Sequence, residues 1–475
     1  MDETPDRTGD CPRCREWERR VCALERELAK QAAEGARLRT RLEELERSAK
    51  RQTVRFARRK RVANPKPPGR KGGHQAEHRD VPKKVDRIVD MPIEPLCPHC
   101  RHELDVATHT QYQTDIPQVE PTVTQFNVEV GVCPSCGTRV QGRHPEQTSD
   151  ALGAANHTLG PHVHAMAASL KYGAGMSFAK ISRFLCESFR LPCVPSTFVR
   201  AGRRIARKAE PTIGRLRHQL LRSPWIHADE TGWRIGVHST WLWVFASDTI
   251  TLFDIDRRSH DVPERMLSGF DGVLCCDGFA AYDSLDHVKL RCNGHVLHRI
   301  AGLKEIFGQG DHDATADEMG DDLFALTEIE AIFRQAIDVH RRHDALTEIG
   351  FQRRRSEIER RFDKWLWLYE EDAHPDVARL RNHLAAHRRE WFLYLYNTQL
   401  PTTNNRGEQQ IRPGVITRRM GGCNKTATGA LATKTLASLV ASCRQQRKSL
   451  LAVVSRLLHT RAPTAIHLSR LPAVA

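Results

Sequence analysis

No apolar run in the chain approaches the roughly 18 to 20 residues of a membrane-crossing helix, and the opening MDETPDRTGD lacks the apolar core of a signal peptide. Neither a membrane protein nor a secreted one is expected, so the chain belongs in the cytoplasm. Acid is also scarce: 58 Asp and Glu stand against 73 Lys and Arg, leaving a formal charge of +15. That balance favours a polyanionic partner over a membrane surface or an acidic protein. Disulfides are not expected in a reducing compartment, so paired spacing among the 14 cysteines reads first as metal ligation. At 475 residues the chain exceeds what one core organises and should fold as several domains.

Residues 16–49 carry a heptad pattern at Val21, Leu24, Leu28, Gln31, Gly35, Leu38, Leu42 and Leu45. This predicts a coiled coil, either a self-associating zipper or a helix packed on its own chain. A basic Pro/Gly-rich linker follows over 50–85. Between Lys50 and His74 it holds ten Lys or Arg and no acid, so it forms no core; Arg70 and Lys71 are its candidates for nucleic-acid phosphates or a minor groove. Cys97-Pro-His-Cys100 and Cys133-Pro-Ser-Cys136, with strand-like sequence between them, predict a zinc domain over 90–145, each knuckle turning two thiolates to one structural Zn²⁺. Cys11 and Cys14 lack a second knuckle nearby and read as a half site or as free thiols.

Residues 155–222 read as helical. A helix from Ser177, the turn LPCVP and a helix led by Thr197 resemble helix-turn-helix spacing, with Arg200, Arg203, Arg204 and Arg207 offered to phosphates or bases. The alternative is a helical layer with a solvated basic face. From Trp225, WIHADETGWRIG, STWLWVFAS and TITLFDID predict three successive strands, with Asp229 in the first. GVLCCDG then reads as a parallel strand presenting Asp277 at its carboxyl end. Paired carboxylates on neighbouring strands suit metal-assisted phosphoryl transfer. The best third carboxylate is Glu408, at a helix start in PTTNNRGEQQIRP. Residues 301–400 read as a helical insertion within a catalytic domain spanning 223–446, and 447–475 as a C-terminal tail.

Taken together, these residues resemble the DDE transposases of the insertion sequence sixty-six family. The resemblance is carried by His227-Ala228-Asp229-Glu230-Thr231, by Asp277-Gly278 with Tyr282, and by Asn404, Asn405, Glu408, Arg412 and Pro413 followed by Arg418 and Arg419. It implies a ribonuclease H-like catalytic core in a multidomain α/β chain, in which Asp229, Asp277 and Glu408 hold Mg²⁺ or Mn²⁺. It further implies a site role for His295, in Cys292-Asn-Gly-His295, as a phosphate or metal-water contact; zinc ligation by that pair is the alternative. Arg412, Arg418 and Arg419 would contact DNA. The expected partners are the terminal inverted repeats and target DNA, a second copy of the chain or a higher oligomer, and accessory proteins of the same element. A nucleoid-associated location follows. Leu297 and His298 stand where the family has arginine, and Gln409 replaces the arginine after Glu408. These departures leave open a DNA-binding protein without catalysis, or a zinc and coiled-coil regulator.

Overall fold

The computed structural model describes residues 80–153, 157–307, 316–369 and 374–474, with Arg20, Gln31 and Glu34 as isolated positions. Apart from those three positions, the predicted coiled coil, most of the basic linker with Arg70 and Lys71, and Cys11 and Cys14 lie outside the described residues. The chain divides into two compact units, 1–121 and 122–475.

The two Cys-x-x-Cys loops fall in different units but have the same backbone. In the first, Cys97 N–H donates to His102 O at 2.8 Å, Arg101 N–H returns to Cys97 O at 2.9 Å, and Arg101 is left-handed at φ 60°. In the second, Cys133 N–H donates to Thr138 O and Gly137 N–H to Cys133 O, both at 2.9 Å, with Gly137 at φ 69°. The strand-like sequence between the loops yields one strand, β1 (Val130–Val132), which pairs antiparallel with β2 (Arg139–Gln141). Pro117 and Pro121 remove backbone donors from the rest, and Ile116 and Val123 are exposed with no sheet to cover them.

Helices fill the next segment: α1 (Pro161–Ala168), a π-turn (Ser169–Gly173), α2 (Phe178–Phe189) and α3 (Pro195–Leu220). Ser177 caps α2 by accepting Lys180 N–H, and Pro195 starts α3 where a missing N–H costs nothing. Phe198, Ala201, Ile205, Ala209, Leu216 and Leu220 bury one stripe of α3, at the 3.6-residue period. Arg200, Arg203 and Arg207 line the opposite, exposed stripe.

The sheet that organises the rest has the order β5-β4-β3-β6-β7. β3 (Trp225–Ile235), β4 (His238–Ala246) and β5 (Thr251–Asp256) form an antiparallel meander. The β3–β4 hairpin turns on Gly236 at φ 60°, a conformation natural to glycine. α4 (Asp261–Leu267) then leads to β6 (Val273–Cys276), parallel to β3, and β7 (Val288–Arg291), parallel to β6. Strand alternation sends Ile226, Ala228, Trp243, Phe245 and Leu274 to one face, against α3 and two later helices. Trp233, Leu242, Val244 and Phe253 go to the other.

A helical insertion packs on the β7 side: α5 (Asn293–Phe307), α6 (Ala316–Arg341), α7 (Glu348–Leu368) and α8 (Pro375–Ala386). Its own core gathers Leu326, Ile329, Phe333, Phe362 and Trp365, with Leu366 buried beside them, whereas Trp367 and Leu368 are exposed. The chain returns as α9 (Asn405–Gly421) and α10 (Ala427–Gln445). α9 lies so close to β4 that a Cβ on Gly414 would meet Leu242 Cδ2 at 2.4 Å. α10 guards the edge strand β5: Ser438 Oγ accepts Phe253 N–H and Ser442 Oγ accepts Thr251 N–H. In the segment after Gln446, α11 (Leu450–His459) buries Val453, Val454, Leu457 and Leu458 in the core beneath the sheet. Among the described residues no helix is long and apolar enough to cross a membrane.

Candidate active site

Parallel pairing of β3 with β6 sets His227 opposite Cys275, which brings Asp229, two residues further along β3, beside Asp277, just past the end of β6. Ligand atoms of Asp229, Glu230 and Asp277 all lie within 4.8 Å of one another. Asp229 Oδ1 accepts the Glu230 N–H at 2.8 Å, and Asp277 Oδ1 accepts the Phe279 N–H at 2.9 Å, so each carboxylate is held by its own turn of chain. Burial, then repulsion from Glu230 and Asp277, pushes Asp229 up to about 8. Burial, then Asp277, pushes Glu230 up to about 7. Such crowding of acids is unfavourable unless a cation neutralises it.

Glu230 was not singled out from the sequence as a site residue, although it adjoins Asp229. Its Oε1 accepts from Arg258 Nη2 at 2.9 Å and its Oε2 from Tyr282 OH at 3.1 Å. The Arg258 guanidinium sits between two rings, 4.1 Å from the Trp241 centroid and 3.7 Å from that of Phe279, a cation–π clamp that fixes its direction. Arg291 was also missed. Fully buried at the end of β7, it donates to Glu390 Oε2 at 2.7 Å and to the Asp277 carbonyl at 3.2 Å, and it is paired with Asp283. One side chain thus ties the helical insertion to the turn that carries Asp277. The insertion closes on that turn elsewhere too, since a Cβ on Gly278 would come 3.0 Å from His383 Nε2.

Glu408 lies in the first turn of α9, and its position is set by Asn404. Asn404 is buried; its Nδ2 donates to Ala228 O at 2.8 Å, its backbone N–H to Cys292 Sγ at 3.1 Å, and its carbonyl accepts Glu408 N–H at 3.2 Å. Its Oδ1, 3.0 Å from His227 Nδ1, must then accept. Burial holds His227 down at about 4, so the ring is neutral with its proton on Nδ1. The residue before Asp229, the strand end before α5 and the turn of Glu408 therefore meet at one amide. His295 Nδ1 is 3.7 Å from Glu408 Oε1, and both side chains are half exposed. A hydrogen bond with Cys292 raises His295 to about 9 against the opposing effect of burial, helped by Asp277 and Glu408. It favours the imidazolium form at neutral pH, beside Asp277 and Glu408.

The predicted basic contacts divide. Arg203, Arg412 and Arg419 are exposed, and Arg203 Nη2 lies 3.4 Å from Thr426 Oγ1 at the start of α10. Arg418 turns inward, donating to Thr231 Oγ1 at 3.1 Å and to the Gly232 carbonyl, which fastens α9 to β3. Arg204 is half-buried near His164, and its Nε is buried without a hydrogen-bond partner among the described residues.

Residues 157–458 match the family described as "Transposase IS66 family". The chain belongs to the IS66 family of transposases. The match spans helices, sheet, insertion and the returning helices, and it contains Asp229, Asp277, His295 and Glu408. The chain is also 23% identical over 221 residues to the uncharacterized protein y4qI of Sinorhizobium fredii, covering 43% of this chain and 40% of that protein. The aligned stretch thus spans well under half of the relative's length.

Proposed function

We propose that this IS66-family chain cuts and joins DNA strands at the ends of an insertion sequence, with Asp229, Asp277 and Glu408 as its metal-holding carboxylates. The observation that carries the reading is the approach of Asp229 and Asp277 from neighbouring parallel strands, with the helix of Glu408 fastened to the residue before Asp229 through Asn404. The strand order, three antiparallel strands continued by two parallel ones, supports a ribonuclease H-like core. The donors are carboxylate oxygens, the ligands hard Mg²⁺ and Mn²⁺ prefer, and the raised Asp229 and Glu230 fit a site built to be neutralised by a cation. When bound there, the cation supplies an activated oxygen nucleophile and stabilises charge on the phosphorus oxygens.

The protein's own groups do the rest. Asp229 and Asp277 stay fixed by their turns, and Arg291 holds the Asp277 turn from behind. His295, charged and half exposed, faces the phosphate and offsets its negative charge. Arg203, Arg412 and Arg419, together with Arg70 and Lys71 of the linker, contact the DNA backbone; Arg418 and Arg204 brace the scaffold. The reaction is hydrolysis of a phosphodiester at the element end, followed by in-line attack of the freed 3′-hydroxyl on target DNA. The heptads of 16–49 would form a zipper pairing protomers across two ends. The test is incubation with DNA containing the element's ends. Nicks at the ends and joined products that need Mg²⁺ support the reading; tight binding to the ends with no cut under any divalent metal refutes catalysis.

A further inference from the structure

A second constellation of ligand atoms adjoins the carboxylates and differs from them in kind. Cys292 Sγ, His295 and Glu408 present one donor each, all within 4.8 Å of one another. The strand-to-helix junction creates it. Cys292 closes the β7 run, its N–H donating to Cys276 O at 2.9 Å, and His295 follows in the first turn of α5. α9 then delivers Glu408, whose Oε1 is 3.7 Å from His295 Nδ1. The sulfur is buried and accepts the Asn404 N–H at 3.1 Å, which fixes its direction. His295 and Glu408 are half exposed, so an ion has a path from solvent.

Asp229, Glu230 and Asp277 offer oxygen alone; this trio offers sulfur, nitrogen and oxygen. Three such protein ligands with a fourth position open are a common Zn²⁺ arrangement, and a thiolate turns selectivity from Mg²⁺ toward Zn²⁺ and Co²⁺. We propose that Cys292, His295 and Glu408 form a soft-metal site that binds Zn²⁺ and, when filled, withdraws Glu408 from the catalytic carboxylates. The withdrawal rests on the reading of Glu408 as the third of those carboxylates; the site itself does not. The consequence is a transposase that low Zn²⁺ restrains while Mg²⁺ is abundant.

The experiment uses the full chain, metal-stripped and titrated with Co²⁺, as wild type, Cys292→Ser and His295→Ala, with circular dichroism and melting to establish that each is folded. The half-exposed His295 makes its variant the safer of the two for folding. The Cys-x-x-Cys loops also take Co²⁺, so the readout is the difference between proteins. Wild type is expected to bind one more equivalent than either variant, with a thiolate-to-cobalt charge-transfer component missing from Cys292→Ser. In DNA cleavage with saturating Mg²⁺, Cys292→Ser should need at least about tenfold more Zn²⁺ for half-inhibition, the smallest penalty expected for disturbing a metal site. Equal Co²⁺ binding by three folded proteins overturns the site. A difference in Co²⁺ binding with unchanged Zn²⁺ sensitivity overturns the withdrawal of Glu408. A difference in Co²⁺ binding with no cleavage by wild type in any metal upholds the site and overturns the catalytic reading.

Discussion

Replacing Asp229 with Asn should make the metal-free protein more stable while destroying its response to Mg²⁺. Asp229 is half-buried among other acids, and its pKa rises from the ordinary 3.8 to about 8. At pH 7 the folded protein keeps this carboxyl largely protonated, whereas the unfolded chain ionises it. At about 1.36 kcal/mol per pH unit, the interval from 3.8 to 7 costs the fold about 4 kcal/mol. Asn does not titrate, and its Oδ1 can still accept the Glu230 N–H. Its new amide hydrogens face the same crowded pocket, and leaving them unpaired returns about 1–3 kcal/mol. The net gain expected at pH 7 is therefore about 1–3 kcal/mol. The sign with pH follows from proton counting: between 3.8 and about 8 the native state binds a proton that the unfolded state lacks, so wild-type stability falls as pH rises through that window and levels off above it. Asp229→Asn lacks this share of the slope, and the gap between the two proteins should widen from pH 5 to pH 8. Urea unfolding in a chelator at several pH values measures it, and repeats in Mg²⁺ should stabilise wild type more than the variant. A variant less stable than wild type at pH 8 in chelator, or a gap that widens on acidification, would refute the reasoning.

Three further outcomes are expected. Asn404→Ala leaves the Ala228 carbonyl and the His227 Nδ1–H without their buried partner, which should cost about 1–3 kcal/mol per group in urea unfolding and raise the Mg²⁺ needed for half-maximal cleavage because Glu408 loses its anchor. Arg291→Ala leaves the partly exposed Glu390 and Asp283 without their cation beside a buried gap; because water reaches both carboxylates, about 1–3 kcal/mol of destabilisation is expected, read as a lowered denaturation midpoint. Gly414→Ala drives a methyl into Leu242 and should cost about 1–3 kcal/mol by overpacking, whereas Gly302→Ala, with open space around its Cβ position, should not destabilise.

The sheet was legible because its strands announce themselves locally. Trp225–Ile235, His238–Ala246 and Thr251–Asp256 carry the β-branched and aromatic residues of half-buried strands, and Gly-Val-Leu-Cys-Cys-Asp has the apolar run of a parallel one. Those strands place Asp229 and Asp277 at adjacent ends by topology alone. What holds them was not legible, because it depends on residues far apart in sequence: Asn404 meets Ala228 across 176 positions and Arg291 meets Glu390 across 99. Glu230 was hidden for the opposite reason: nothing local in the sequence marks it apart from Asp229, and only Arg258 and Tyr282 folded over it reveal its burial. The strand-like sequence between the two Cys-x-x-Cys loops shows the limit of propensity: only Val130–Val132 finds a partner strand, and the Val and Thr before it stay unpaired among the described residues. The inward turn of Arg418 was likewise invisible, because a charge at the end of a helix reads the same whether it meets phosphate or a carbonyl.

The central claim is that Asp229, Asp277 and Glu408 act as one metal-holding set on DNA. Its most direct test is Mg²⁺-dependent cleavage of element-end DNA by wild type beside Asp277→Asn, each shown folded and able to bind the same DNA. The account predicts that cleavage falls by at least about a hundredfold, the scale of removing one preorganised electrostatic contributor, while DNA binding is kept. Asp277→Asn cutting at the wild-type rate would contradict it.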